Sequence, residues 1–204
     1  MGHNDLGDHF YDRGDYVGAL KWYMRNRDYN TTPNHQVQMC LKVIRVSIEL
    51  ENYTHVQNYA GKAEGQVVGA AGMGADGAAS IGMGADAAVV SSKLATCAGL
   101  AALHQRRYAQ AAAKFAMVTP ALGSTFRDVA RPEDVALYGA LCALATMGRH
   151  ELKARVLDRP GFRGLLDLVP AVRELVGDFH ASRYAACLSF LDGLLLRCGA
   201  ACMA

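Results

Sequence analysis

Residues Asp5–Thr32 read DLGDHFYDRGDYVGALKWYMRNRDYNTT. On both sides of the central Arg13-Gly14-Asp15, apolar and small side chains recur every three or four residues, which is the spacing of an amphipathic helix. The tripeptide itself interrupts this pattern, as a turn does. The stretch therefore predicts two antiparallel helices joined as a hairpin. Because a single hairpin cannot bury both of its faces, we expect the rest of the chain to supply neighbours.

The order of small and large residues in this hairpin resembles a tetratricopeptide-type repeat. In such repeats, small residues let two antiparallel helices approach closely, while large residues fill the flanks. The residues that show the resemblance are Leu6, Gly7, Phe10, Gly14, Tyr16, Ala19 and Tyr23. The pattern predicts that the unit recurs along the chain.

A second hairpin follows the first. Residues 30–33 predict a turn and the start of a helix. If residues 35–50 form that helix, apolar side chains cover much of its circumference, as in a helix packed between two others. Glu51-Asn52 predicts the next turn. Tyr53 then takes the place of Tyr16, 37 residues later (53 minus 16), which is close to the 34-residue period of tetratricopeptide units. Residues 1–64 are therefore predicted to form the first two hairpins.

Residues 65–87 are rich in Gly and Ala and contain a near-duplication, GMGADGAAS and GMGADAAVV. They offer no large side chain for packing, so the segment predicts a flexible insert. A phosphate-binding glycine loop is disfavoured, since no strand precedes the segment and no Gly-Lys-Ser/Thr follows it.

Helical spacing resumes at Val89, and Gly99 and Phe115 take the places of Gly7 and Tyr23 in a third hairpin. Pro132-Glu133-Asp134 predicts the start of a fourth hairpin that ends at Pro160-Gly161, and a fifth begins at Phe162. Residues 88–196 thus contain three further hairpins, and residues 197–204 are a tail. The predicted fold is all-α, a right-handed solenoid of about five tetratricopeptide-like helical hairpins.

Composition narrows the classes of function. The 204 residues are 51% hydrophobic, which suffices for a core, and 21 basic residues are scattered among 19 acidic ones for a net charge of +2. Because no one-sided basic stripe is present, we expect no nucleic-acid partner. No signal segment and no run of about 18 strongly apolar residues is apparent, so we expect no membrane partner and an intracellular location.

Side chains that perform chemistry form no recognisable constellation. The six cysteines lie mostly apart within apolar helices and are expected in the core; the Cys198 and Cys202 pair, at helical spacing, lacks the nearby histidines of a zinc site. The seven histidines match no HExxH pattern, and no serine lies in a GxSxG elbow. We therefore predict no enzyme, no cofactor and no metal.

Exposed arginines and tyrosines are the candidates for contacts with other proteins, because such residues are typical interface anchors. The alternative is that each arginine caps a helix end or pairs with a nearby acid, and spacing does not decide between the two. The candidate protein-contact residues are Arg25, Arg27, Asp28, Tyr29, Arg173 and Arg183.

Four stretches together resemble the family shared by subunit 1 of the COP9 signalosome and a subunit of the proteasome lid, both PCI-domain proteins. The stretches are Asp5–Thr32, Val46–Glu64, Pro132–Lys153 and Phe162–Leu191, which includes LVPAVREL. In details such as this last segment they resemble the signalosome member more than the lid member. The resemblance implies a helical-repeat arm that precedes a PCI winged-helix domain. No such domain follows within these 204 residues.

The same resemblance implies a function. It predicts a non-catalytic scaffold of the signalosome that supports deneddylation of cullin-RING ubiquitin ligases through protein contacts, in nucleus and cytoplasm. The implied partners are the other signalosome subunits and, indirectly, cullin-RING ligase components. Two alternatives remain: a subunit of the proteasome lid, and a free-standing helical-repeat module that binds a peptide.

Overall fold

A computed structural model describes residues 2–26, 32–72 and 85–201, and all regular structure within these ranges is helical. This confirms the all-α prediction, including the helix predicted over residues 35–50. A 3-10 turn, Pro120–Leu122, and a π-helical turn, Lys153–Leu157, occur in addition to the α-helices. The helices are α1 His3–Asp12, α2 Tyr16–Arg25, α3 Pro33–Glu49, α4 Tyr53–Gly72, α5 Ala85–His104, α6 Tyr108–Phe115, α7 Pro132–Thr146, α8 Arg149–Leu152, α9 Pro160–Leu166, α10 Pro170–His180 and α11 Tyr184–Ala201.

Local sequence signals account for the helix starts. The Asp15 carboxylate accepts a hydrogen bond of 2.8 Å from the Gly18 N–H, which caps α2. Proline occupies the first turn of α3, α7, α9 and α10, where its missing N–H costs no intrahelical hydrogen bond. At the turn before α2, Gly14 has a φ of +79°, a conformation that residues with a Cβ rarely adopt.

Helices that are adjacent in the chain pack against each other from α1 to α7. Their facing sides form one continuous core, and its largest fully buried side chains include Phe115, Phe162, Ile44 and Leu94. The 3-10 turn packs on α5, so the long connection before α7 also returns to the array. Each helix pair therefore buries its apolar side only with the help of the next pair.

A glycine opposite an aromatic ring sets the close approach of the helices in two hairpins. A Cβ on Gly7 would lie 2.3 Å from the Tyr23 ring, and a Cβ on Gly99 would lie 2.5 Å from the Phe115 ring. Such distances are far below van der Waals contact, so any side chain here would push the two helices apart. The prediction that Gly99 and Phe115 repeat the roles of Gly7 and Tyr23 is confirmed.

The fourth hairpin differs from the sequence prediction. The ring that faces Gly139 of α7 belongs to Phe162, whose atoms would lie 2.8 Å from a Cβ on that glycine. Phe162 lies on α9, which packs against α7, although the sequence placed it at the start of a separate fifth hairpin. Because α8 is only one turn long and continues into a π-helical turn, α9 supplies the large residue that the second helix supplies in the other hairpins.

The predicted insert and tail are partly helical. Helix α4 continues to Gly72 and α5 begins at Ala85, so both ends of segment 65–87 extend the flanking helices. Ala and Gly at these ends do not prevent helix formation next to an established helix. Residues 73–84 lie outside the described part of the chain. Helix α11 likewise extends to Ala201, into the predicted tail.

Helix α5 contains one stretch, Asp86–His104, that is long and apolar enough to cross a membrane by length and composition, with a mean hydropathy of 1.3. The prediction that no such stretch exists is therefore wrong. The physical reason is that α5 packs against α4 on one side and α6 on the other, so it is apolar on both faces. Fifty-six per cent of the stretch is buried within the protein, as in a core helix.

Candidate protein-interaction surface

Three of the predicted contact residues lie in the described part of the chain. Arg25 is the last residue of α2, it is exposed, and its guanidinium carbon lies 5.2 Å from the centre of the Trp22 ring. Arg27, Asp28 and Tyr29 lie outside the described residues. Stacked Arg and Trp side chains are common at protein interfaces, so Arg25 remains a candidate for such a role.

Arg173 and Arg183 are both engaged in ion pairs at the other end of the array. Arg173 Nη1 lies 2.7 Å from Asp167 Oδ1, and Arg183 Nη2 lies 2.5 Å from Asp178 Oδ1. Both arginines are exposed, so each pair contributes little stability. The structure therefore places Arg173 on α10 and Arg183 directly before α11, both far along the chain from Arg25.

Sequence reasoning missed a polar cluster that joins the first three helices. The Asp8 carboxylate on α1 accepts hydrogen bonds of 2.5 Å from the Tyr23 hydroxyl on α2 and 2.7 Å from Lys42 Nζ on α3. Burial alone would raise the pKa of Asp8, but the hydrogen bonds and the positive charges of Lys42 and Arg45 outweigh it and lower the pKa. Burial and the bond to Asp8 raise the pKa of Tyr23.

A second polar contact connects α3 to the long connection before α7. Arg45 donates from Nε to the Tyr11 hydroxyl at 3.0 Å, and its Nη2 lies 2.6 Å from Asp128 Oδ2. Phe126, in the same connection, is buried, and Lys93 Nζ of α5 lies 5.7 Å from the centre of its ring. The connection thus lies across the side of the array formed by α1, α3 and α5. The sequence signal that could have indicated this is the presence of two cations, Lys42 and Arg45, in the otherwise apolar residues 39–46 of α3.

Replacing Asp8 with Asn tests the Asp8 cluster by its pH dependence. In the folded chain, the pKa of Asp8 is lower than the value of about 3.9 that an aspartate has in an unfolded chain. The charged carboxylate therefore stabilises the fold at pH values above about 3.9, and this stabilisation is lost as the pH falls through the folded pKa. We expect the free energy of unfolding of the variant to be lower by about 1 kcal/mol at pH 7. The loss is small because the Asp8–Lys42 pair is partly exposed to solvent. The difference should shrink below pH 4 in urea titrations. An Asp12→Asn control, at the exposed end of α1, should change the free energy of unfolding at pH 7 by less than about 0.5 kcal/mol. A loss of stability in the Asp8→Asn variant that grows towards low pH would contradict the assignment.

On another side of the molecule, α4, α5 and α6 enclose a groove of about 390 Å³. Its floor consists of small residues of α4 and α5, and Lys114 Nζ spans the groove to Glu64 Oε1 at 2.8 Å. The residues that line the α4–α6 groove are Gln57, Ala60, Gly61, Glu64, Ala98, Ala102, Gln110, Ala113, Lys114 and Met117.

The cysteines of the described core are poorly suited to nucleophilic chemistry. Cys40, Cys97, Cys142 and Cys187 are free and buried. Burial raises the pKa of all four thiols, for Cys97 to about 12, so these thiols are protonated near neutral pH. Within ranges 2–26, 32–72 and 85–201, no three His, Cys, Asp or Glu side chains lie close enough to hold a metal ion.

Comparison with known proteins identifies the family of this helix array. The model of the family described as 26S proteasome subunit RPN7 matches residues 1–155. The chain belongs to the RPN7 family. The matched region extends from α1 through α7 and α8, so it includes both glycine–aromatic hairpins.

Curated relatives of this RPN7-family chain match nearly all of it. COP9 signalosome complex subunit 1 of Arabidopsis thaliana is 44% identical over 95% of this chain and 40% of the relative. Subunit 1b of Drosophila melanogaster is 42% identical over 94% of this chain and 34% of the relative. Subunit 1 of Emericella nidulans is 38% identical over 94% of this chain and 36% of the relative. The chain thus spans about two fifths or less of the length of these relatives. The resemblance identified from the four sequence stretches is confirmed.

Proposed function

We infer that this RPN7-family chain is a non-catalytic scaffold subunit of the COP9 signalosome. On this proposal, its helix pairs form a right-handed solenoid that holds other subunits in place and so supports deneddylation of cullin-RING ubiquitin ligases. Its partners are the other signalosome subunits and, through them, ligase components, in nucleus and cytoplasm. The observation that best supports this is the 38–44% identity, over almost the whole chain, to three proteins named as subunit 1 of that complex.

The fold is consistent with a role in assembly. Large apolar side chains are exposed at several places along the array, and such residues are common where partners bind. They include Val17 and Met24 on α2, and Leu168, Tyr184 and Leu188 before and on α11.

A second candidate function is that of a subunit of the proteasome regulatory-particle lid, because the matching family model is described as 26S proteasome subunit RPN7. The relatives matched along the chain carry the signalosome name instead, which favours the first candidate. A free-standing module that binds a peptide in a groove is the remaining alternative.

Affinity purification of the tagged chain from cells of its source distinguishes these candidates. We expect mass spectrometry to find signalosome subunits enriched at least tenfold over a tag-only control. The variant Arg25→Glu/Arg27→Glu tests the contact residues. Its melting temperature should lie within a few degrees of that of the original chain, because Arg25 is exposed at a helix end. If Arg25 belongs to a contact patch, the variant should recover fewer of these subunits. Enrichment of lid subunits instead would favour the second candidate, and recovery of neither set would contradict both.

A further inference from the structure

Helix α11 is apolar but is covered mainly on one side. Residues Tyr184–Leu194 form an apolar helical stretch, and among the described residues the extensive contacts of α11 are with α10. Cys187 lies on the covered side, where its thiol donates a 3.6 Å hydrogen bond to the Leu175 carbonyl. A helix that is apolar on several sides is normally covered on more than one of them. The uncovered side of α11 is therefore a candidate interaction surface.

The uncovered side carries a row of three residues. Tyr184, Leu188 and Asp192 are spaced four residues apart, so their side chains lie along one face of the helix. Tyr184 is 45% exposed, Leu188 is 61% exposed, and Asp192 is exposed as well. Ala185 and Ser189, beside this row, are small and exposed, which lets a second helix approach to an axis distance of about 8–10 Å. We call these five residues the α11 stripe.

The two ends of the α11 stripe carry opposite charges. At the first end, the Arg149 guanidinium donates a hydrogen bond to the Tyr184 hydroxyl, and its carbon lies 5.6 Å from the centre of the Tyr184 ring. At the other end lies the Asp192 carboxylate. Within the part of the chain that the structure describes, neither Arg149 nor Asp192 forms an ion pair. Both charges are therefore available to a partner.

This arrangement is complementary to itself. Leu188 lies four residues after Tyr184 and four residues before Asp192, so it is the midpoint of the row. If two α11 helices cross antiparallel with Leu188 against Leu188, Tyr184 of each copy faces Asp192 of the other. Arg149, which lies over Tyr184, then comes beside that carboxylate, and two-fold symmetry produces the contact twice. Antiparallel helices also place their dipoles in a favourable orientation.

We propose that two copies of this chain associate through the α11 stripe as an antiparallel helix pair. Leu188 forms the apolar centre of the contact, and Arg149 of each copy pairs with Asp192 of the other. A guanidinium and a carboxylate form a strong, charge-assisted hydrogen bond, which fixes the register of the two helices. One helix from each copy offers less than the about 1,200 Å² that a stable interface buries, so the dimer is weak and reversible.

Sedimentation velocity of the purified full chain, from about 5 to 500 μM, tests the apolar centre. We expect a reversible equilibrium between monomer and dimer, with a Kd on the order of 10–100 μM that rises with salt. Leu188→Glu should raise the Kd at least tenfold, because it places two like charges against each other at the centre. The control Val17→Glu changes another exposed apolar residue, on α2 and 55% exposed, and should leave the Kd unchanged.

Exchange of the two charges tests the register. Arg149→Asp and Asp192→Arg each place like charges opposite each other in a pair of identical copies, so each variant alone should dimerise at least tenfold more weakly than the original chain. In a 1:1 mixture of the two variants, both contacts again join opposite charges. The mixture should therefore form a heterodimer with a Kd within about threefold of the original value. Asp86→Arg, exposed at the start of α5, makes the same charge change elsewhere and should dimerise like the original chain.

Circular dichroism melting verifies that each variant folds, and Leu188→Gln or Arg149→Glu replaces a variant that does not. A chain that stays monomeric up to about 500 μM would overturn the proposal and leave the α11 stripe to a different partner. A dimer that Leu188→Glu does not weaken, or a mixture that associates no better than its two components, would overturn it as well. Because this assay contains the purified chain alone, its result and that of the affinity purification are independent.

Discussion

Replacing Phe115 with alanine should lower the free energy of unfolding by about 3–5 kcal/mol, because it removes a fully buried ring and leaves a cavity between α5 and α6. For a chain of this length, that corresponds to a fall of roughly 6–20 °C in melting temperature. Urea unfolding followed by circular dichroism measures the change. Met117→Ala is the matched control: it lies two residues further along, is 52% exposed and should change stability by less than about 0.5 kcal/mol.

The opposing glycine makes this experiment more specific. In the original chain, Gly99→Ala should cost about 1–3 kcal/mol, because its Cβ would lie 2.5 Å from the Phe115 ring. In the Phe115→Ala background the same change meets no ring, and it should stabilise the chain by about 0.5–1 kcal/mol, since alanine favours helix over glycine. A double-mutant cycle reports this change of sign. Equal effects of Gly99→Ala in both backgrounds would mean that the close approach does not depend on this pair.

Gly139→Leu should be the next most damaging change, at about 3 kcal/mol. A Cβ on Gly139 would already lie 2.8 Å from the Phe162 ring and 3.0 Å from the Phe115 Cβ, so a leucine would displace α9 and α6 from α7 at once. The measurement is again the free energy of unfolding in urea. A loss of this size would show that α6 and α9 pack closely against α7 at Gly139.

A helical glycine without close neighbours is the control for that prediction. A Cβ on Gly177, within α10, would meet nothing within 4 Å. Gly177→Ala should therefore stabilise the chain by about 0.4–1 kcal/mol. If Gly139→Leu and Gly177→Ala had effects of the same sign, crowding at α7 could not be the explanation.

The helices themselves were predictable because their signals are local. Apolar spacing, prolines at helix starts and the Gly14 turn all act within a few residues, so α1 to α7 lie close to where the sequence predicts them. The pairing of Gly99 with Phe115 was also predictable, since both residues repeat positions of the first hairpin. Of the contact residues, Arg173 could be placed on a helix and Arg183 directly before the last helix. Their pairing with Asp167 and Asp178 could not be predicted, because the sequence equally allows exposure to a partner.

The sequence prediction failed at two places, and irregular backbone explains the first of them. The π-helical turn after α8 shifts the phase of the chain, so the ring that meets Gly139 comes from Phe162 and not from the second helix of the same predicted hairpin. Apolar helix α5 satisfied the criteria for a membrane span because neither composition nor length shows that α4 and α6 cover it.

By itself, the sequence determined that this RPN7-family chain is a row of paired α-helices, because helix periodicity, caps and small-residue positions are properties of short segments. Only the tertiary structure decided which surfaces that row exposes. The Arg45–Asp128 and Glu64–Lys114 contacts join residues that are 50 or more positions apart. Such contacts depend on the path of the connections between helices, and no local pattern encodes that path.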